Sequence, residues 1–263
     1  MNTHTCSSVR SALALATALV LPVLASAQVL HTWNFNDTAG TALSASAGTG
    51  GILFNTAISG VATDGSGGLA IAYTSTSSTR SFADIPDVGA GILQLDVLVA
   101  GWDLSGVTAE PDFGPLVEFG FANVTGSSNG TTRTALIQFA ADASGAEIVG
   151  VAGGTGSTNT ATGIVFGKTQ AAPVTFRLVA NFDADTYAIS SSADNYSTVT
   201  GGTLAADRGA NFILIRTLDN FAEGGGSFTV DSITVSAVPE PASAAALVGV
   251  AALALTAARR RRR

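Results

Sequence analysis

The sequence predicts an all-β fold, specifically a two-sheet antiparallel β-sandwich of the jelly-roll kind. Three observations carry this. Apolar and polar residues alternate over many short segments, the spacing of half-buried strands. Gly, Ser, Thr, Ala and Asn fill the stretches between them, which favours turns over helices. Outside the two ends of the chain, no window keeps an apolar stripe at the 3.6-residue period of a helix. Ten or so strands at this spacing suit two packed sheets.

In chain order, Val29 to Asn36 reads as the first strand, with Val29, His31, Trp33 and Phe35 on one face. A Gly- and Ser-rich loop follows, broken by Ile52-Leu53-Phe54 and by Leu69 to Tyr73. Leu93, Leu95, Val97 and Val99 alternate with Gln94 and Asp96, and Val117, Phe119 and Phe121 repeat the pattern beside Glu118. Asn129-Gly130 then predicts a hairpin into Ala135 to Phe139. Glu147 to Val151 and Gly163 to Phe166 are shorter candidates. The clearest unit is Val174 to Phe182, where Val174, Phe176, Leu178, Ala180 and Phe182 share one face opposite Thr175, Arg177 and Asn181. Asp183-Ala184-Asp185 turns it into Thr186 to Ser190, and Asn211 to Thr217 and Phe228 to Val235 complete the set.

Composition bounds the function. Residues 28 to 238 hold 18 Asp and Glu against 6 Lys and Arg, a net charge of −12. So acidic a surface repels nucleic acid and anionic lipid, and neither is expected as a partner. Beyond residue 27 one lysine, Lys168, and one histidine, His31, remain, with no cysteine. That excludes disulfides, thiolate metal sites and a cysteine nucleophile from this stretch.

Both ends read as targeting segments. Met1 to Arg10 carries one basic residue, Ser11 to Leu24 is an apolar run, and Ala25-Ser26-Ala27 supplies the small residues of a cleavage site. Residues 1–27 are therefore expected to be a signal peptide cut by signal peptidase after Ala27. At the other end, Pro239-Glu240-Pro241 precedes the charge-free stretch Ala242 to Ala258, and Arg259, Arg260, Arg261, Arg262 and Arg263 close the sequence. Ala242 to Ala258 predicts one transmembrane helix about 25 Å long, and the arginines fix its end in the cytoplasm. The organisation expected is signal peptide 1–27, ectodomain 28–236 and C-terminal segment 237–263.

A Pro-Glu-Pro triplet, an apolar helix and a terminal arginine cluster resemble the PEP-CTERM sorting signal of Gram-negative bacteria. The resemblance implies an exosortase as processing enzyme, cutting near the triplet. It also implies transient anchoring in the inner membrane, then the cell surface or the extracellular matrix of a biofilm, with extracellular polysaccharide as a candidate partner. A simple C-terminal anchor is the alternative. In the ectodomain, Trp33-Asn34-Phe35-Asn36-Asp37 followed by Gly40 resembles the opening of laminin-G and concanavalin-like domains. Phe176 to Ser190 resembles their long hairpin, and Phe228 to Val235 their closing strand.

The candidate chemistry is sparse, and no catalytic residue is assigned. The concanavalin-like glucanases carry E-x-D-x-x-E, which is absent; Glu110-Pro111-Asp112 comes nearest, but its proline and the neighbouring Gly114 and Pro115 place it in a loop. A serine triad would need His31, which lies beside Trp33 in a strand. No cofactor is expected except a structural Ca²⁺, for which Asp37 and Asp231 would serve if the terminal strands are neighbours; the same residues also read as a turn and a solvated strand face. Trp102, at the end of the Leu93 strand, is either a glycan-stacking platform or a plug for the sandwich. Asp183 and Asp185 are turn residues, and turn chemistry also accounts for the glycosylation-like triplets at Asn129 and Asn195. The function expected is therefore a non-enzymatic structural or adhesive sandwich. A carbohydrate-binding module is the alternative, and a glycosidase or lyase would need a carboxylate pair facing one groove.

Overall fold

Strand alternation becomes two sheets in the computed structural model, which describes residues 27–72, 79–106, 114–123, 133–141, 145–152, 158–204, 209–218 and 226–239. The strands are β1 (Gln28–Trp33), β2 (Val61–Thr63), β3 (Leu69–Ala72), β4 (Thr79–Val88) and β5 (Ile92–Asp103). Next come β6 (Gly114–Ala122), β7 (Arg133–Ala141), β8 (Gly145–Ala152), β9 (Thr158–Gly167) and β10 (Thr169–Gln170). The chain continues through β11 (Val174–Asn181), β12 (Thr186–Ser191), β13 (Thr200–Thr203), β14 (Ala210–Thr217) and β15 (Ser227–Val238).

One sheet has nine strands in the order β13-β12-β11-β5-β15-β3-β2, with β1 also paired to β15 and β10 to β5. The other has six, β4-β14-β6-β7-β8-β9. The first and last strands are thus neighbours, as the calcium expectation required. Val29–Ala237 forms one compact unit.

The core lies between the sheets because each strand turns its alternate apolar residues the same way. On β5 these are Leu93, Leu95, Val97 and Val99, on β11 Val174, Phe176, Leu178 and Ala180, and all are buried. They meet Val117, Phe119 and Phe121 of β6 and Ile137 and Phe139 of β7 in one continuous cluster. Aromatic rings join the layers, with Phe139 edge-on to both Phe176 and Phe228. Burial on this scale, at about 25 cal/mol per Å² of apolar surface, is what holds a disulfide-free sandwich together.

Four details differ from the sequence reading. The first strand stops at Trp33 rather than Asn36. Phe35, at φ +50°, turns the chain instead and is still buried, while Val29 is 57% exposed rather than core-facing. A ten-residue strand, β4, occupies a stretch where the sequence analysis named no strand, and it contains Pro86. It sits at the edge of its sheet, and its pairing with β14 shifts register between Ala210 and Phe212, near that proline. Edges and bulges tolerate a missing N–H. Third, the short strands β2, β10 and β13 carry too few residues to show a period. Fourth, Trp102 is in the core, as described below. The Asn129-Gly130 turn, Glu110-Pro111-Asp112 and nearly all of both targeting segments lie outside the described residues. Among the described residues no helix is long and apolar enough to cross a membrane.

Candidate functional site

Trp102 sits on the inward face of β5 near its end, and its ring is 4% exposed. Its indole N–H donates to the Gly167 carbonyl at 3.1 Å. The ring stacks on Phe228 at 5.7 Å between centroids and meets Phe166 edge-on at 5.2 Å. A ring enclosed in this way offers no face to a sugar, so the plug is what the geometry supports and the platform expectation is corrected.

Asp37 and Asp231 have different surroundings. Asp37, half-buried after β1, accepts a hydrogen bond from the Ser46 hydroxyl at 2.6 Å, which ties its loop to the short turn Leu43–Ala45. Asp231 lies on the outward face of β15, where it lines a groove of about 330 Å³ with Asp64, Ser66, Gly68, Ala100, Gly101 and Thr229. The acid that shares the groove with Asp231 is therefore Asp64, which sequence reasoning missed.

Asp64 opens the five-residue connection between β2 and β3. Its Oδ1 accepts from the backbone N–H of Ser66 at 2.7 Å and of Gly68 at 3.0 Å, and its own N–H donates to the Gly68 carbonyl at 2.8 Å. The pattern Asp64-Gly65-Ser66-Gly67-Gly68 was the available signal, because an Asp followed by glycines is turn chemistry. The backbone hydrogen bond from Ser66 holds the Asp64 carboxyl below the usual carboxylate range. The groove is thus a carboxylate pair facing one space, the condition set for a glycosidase. Such an enzyme needs one of its two acids protonated near neutral pH. Asp64 is pushed the other way, so it enters the groove as a hydrogen-bond acceptor, the state a nucleophile rather than an acid would need.

A second cluster lies on the same outward face. Arg177 of β11 stands in register with Asp96 of β5. Its Nε and Nη2 donate to the two carboxylate oxygens at 2.8 and 3.1 Å, and Gln94 donates to the same carboxylate at 2.8 Å. The hydrogen bond that Arg177 donates to Asp96 raises its pKa above the usual value. Above the guanidinium, 4.3 Å from it, is the ring of Tyr196. Asn195 and Tyr196 both hold left-handed backbone, at φ +61° and +60°.

On the outer face of the six-stranded sheet, Glu118, Arg216 and Gln138 sit side by side in register. Gln138 donates to Glu118 at 2.7 Å and Arg216 at 3.2 Å, and Glu118 is wholly buried. Sequence parity had placed Glu118 on a face opposite the core. Its cross-strand neighbours are an amide and a guanidinium, so the register brings no second acid beside it. Among the described residues no three His, Cys, Asp or Glu side chains come together to hold a metal ion.

Comparison with known proteins adds two findings. Residues 237–263 match the PEP-CTERM protein-sorting motif, and a sorting motif of this kind implies an exported protein. The sandwich resembles the CBM2 module of the evolved Dit of Lactobacillus casei BL23 phage J-1, with a TM-score of 0.53 at 10% identity over 81% of this chain and 98% of that one. It also resembles the Emp47p carbohydrate recognition domain, at TM-score 0.49 and 7% identity over 81% and 98%. A sialidase matches 67% of this chain at TM-score 0.45 and 11% identity, and this chain spans 16% of that protein's length. At such identities the likeness concerns the fold alone. No curated protein matches the sequence.

Proposed function

We propose that this chain is an exported surface or extracellular-matrix protein whose sandwich is a non-catalytic structural or adhesive domain. The observation that carries the reading is the sorting motif at residues 237–263. Signal peptidase removes Met1–Ala27, Ala242–Ala258 holds the rest in the inner membrane with Arg259–Arg263 on the cytoplasmic side, and an exosortase then cuts near Pro239-Glu240-Pro241. The last strand, β15, runs to Val238, the residue before Pro239 in the sequence.

The test is the intact mass of the protein recovered from its native host. The expected species lacks both Met1–Ala27 and the Ala242–Arg263 helix. A surface-located species that retains Arg263 would leave the simple C-terminal anchor instead.

A carbohydrate-binding module is the second reading, and the Asp64–Asp231 groove is the observation that favours it. A structural Ca²⁺ at Asp231 belongs to the same reading, although two carboxylates supply only part of the six to eight oxygens that this ion takes.

A further inference from the structure

We propose that the outward face of the nine-stranded sheet binds a neutral, hydroxyl-rich glycan, with one sugar residue in the Asp64–Asp231 groove and a later residue against Tyr196. The proposal rests on the carbohydrate-binding reading above and gives it a location.

The groove, about 330 Å³, is at the small end of the 300–1,000 Å³ usual for ligand pockets. Its lining is short-chained, which keeps it open. A Cβ at Gly101 would lie 2.6 Å from the Gln170 carbonyl oxygen, and one at Gly68 would lie 2.6 Å from Asp64 Oδ2 and 2.8 Å from Thr229 Cγ2. Gly101 thus admits the backbone of β10 beside β5, while any larger residue at Gly68 would push on the groove wall.

The charge pattern selects the ligand. Asp64 spends Oδ1 on two backbone N–H groups. The Ser66 side chain bonds to the same carboxylate, and Asp231 lines the groove beside it. An ionised carboxylate can only accept. Two such groups on one groove therefore call for donors, and sugar hydroxyls supply them as short, charge-assisted bonds. A uronate or phosphorylated sugar would bring a third negative charge to a domain already at −12.

Tyr196 supplies the apolar contact. Its backbone is fixed by the N–H bond to the Ser191 carbonyl at 2.8 Å, and the next turn by Thr198 N–H donating to Asp194 at 2.8 Å. Arg177, itself clamped by Asp96, holds the ring from one side. A tyrosine so restrained offers amphipathic contact area with little entropy left to lose. Asp96 and Ala100 both face outward on β5, four residues apart. At about 3.3 Å per residue these two positions lie roughly 13 Å apart along β5, and the contact points are further offset sideways, with Tyr196 over β11 and Asp231 on β15. A single sugar reaches only the groove; an oligosaccharide reaches both.

The experiment uses the exported protein on an array of neutral, uronate-bearing and amino-sugar glycans, with EDTA present throughout. Binding to neutral oligosaccharides is expected. Asp231→Asn should weaken it about tenfold or more, the scale of a lost hydrogen bond to a charged group, with an unchanged urea midpoint. Ala100→Leu, which fills the groove from the strand, should abolish binding. Tyr196→Ala should weaken oligosaccharides while sparing the monosaccharide. Absence of neutral-glycan binding, preference for uronates or amino sugars, or indifference to Asp231→Asn and Ala100→Leu would each overturn the proposal. Binding seen only when Ca²⁺ replaces EDTA would overturn the direct contact in favour of an ion-held site. Any of these, with the processing mass as expected, removes the binding face and leaves the exported sandwich standing.

Discussion

Phe139 of β7 meets Phe176 of β11 edge-on, 4.9 Å between ring centroids, and this contact ties the two sheets at the middle of the core. Both rings are fully buried. Phe176→Ala should therefore cost about 3–5 kcal/mol, combining lost transfer energy with the cavity left behind. Thr175, one position away, faces outward on the same strand and is half-buried. Its backbone N–H, rather than its side chain, makes the bond to Ser192 at 2.8 Å. Thr175→Ala should change stability by about 0.5 kcal/mol or less. Urea melts of the pair decide it; equal small effects would remove Phe176 from the core.

Trp102 makes a related prediction with the opposite bearing on binding. Its ring touches Phe228, Phe166 and Phe176, and its N–H bonds to Gly167. Trp102→Ala should cost about 3–5 kcal/mol and leave glycan affinity unchanged at temperatures where the variant stays folded. Lost affinity at full foldedness would place Trp102 back at a ligand surface.

The β11–β12 hairpin was legible because period-two alternation survives over its whole length, and a turn of small polar residues joins its arms. The edge strand β4 was not, since Pro86 is a local signal whose exception depends on where the strand lies in the sheet. Glu118 shows the limit of parity. Alternation with Val117 and Phe119 gives its face, but its partners Gln138 and Arg216 come from 20 and 98 residues away. The groove was illegible for the same reason. It is assembled from the β2–β3 connection, the end of β5 and the outward face of β15, three segments that share no sequence neighbourhood.

Asp64 predicts a specific acid response. The Ser66 and Gly68 N–H bonds hold its folded pKa below the unfolded one. A depressed carboxyl contributes stability that is present above the unfolded pKa, near 3.9, and is lost as pH falls through the folded value. Asp103 and Asp194 are depressed in the same direction by their hydrogen bonds to Ser105 and Thr198. Thermal melts should therefore drop below about pH 4, and Asp64→Asn should make that acid limb shallower. An unchanged slope would mean the turn does not protect the carboxylate.

The arginine tail gives a test in cells. Replacing Arg259 to Arg263 with Ser removes the guanidinium groups that are costly to move across a bilayer. Retention in the membrane fraction should loosen, and the processed species should fall. Unchanged retention and processing would show that Ala242–Ala258 and the triplet suffice.

The last prediction concerns the buried acid. Glu118 receives hydrogen bonds from Gln138 and Arg216 while wholly shielded from water. Taking one member from a buried ion pair strands the other, at a cost of about 3–5 kcal/mol. Glu118→Leu alone should therefore be severely destabilising. Arg216 retains some solvent contact, with a side chain 19% exposed, which places its loss toward the lower end of that range. Around the pair, Phe82, Ala122, Leu136 and Leu214 form an apolar cluster on the same outer face. An apolar replacement of both charges has matching neighbours there, so Glu118→Leu with Arg216→Met should recover much of the loss. The double-mutant cycle by urea melts reads the coupling directly. A double variant no more stable than Glu118→Leu would mean that Glu118 is held by partners other than Arg216, and that the ion pair is incidental to the sheet.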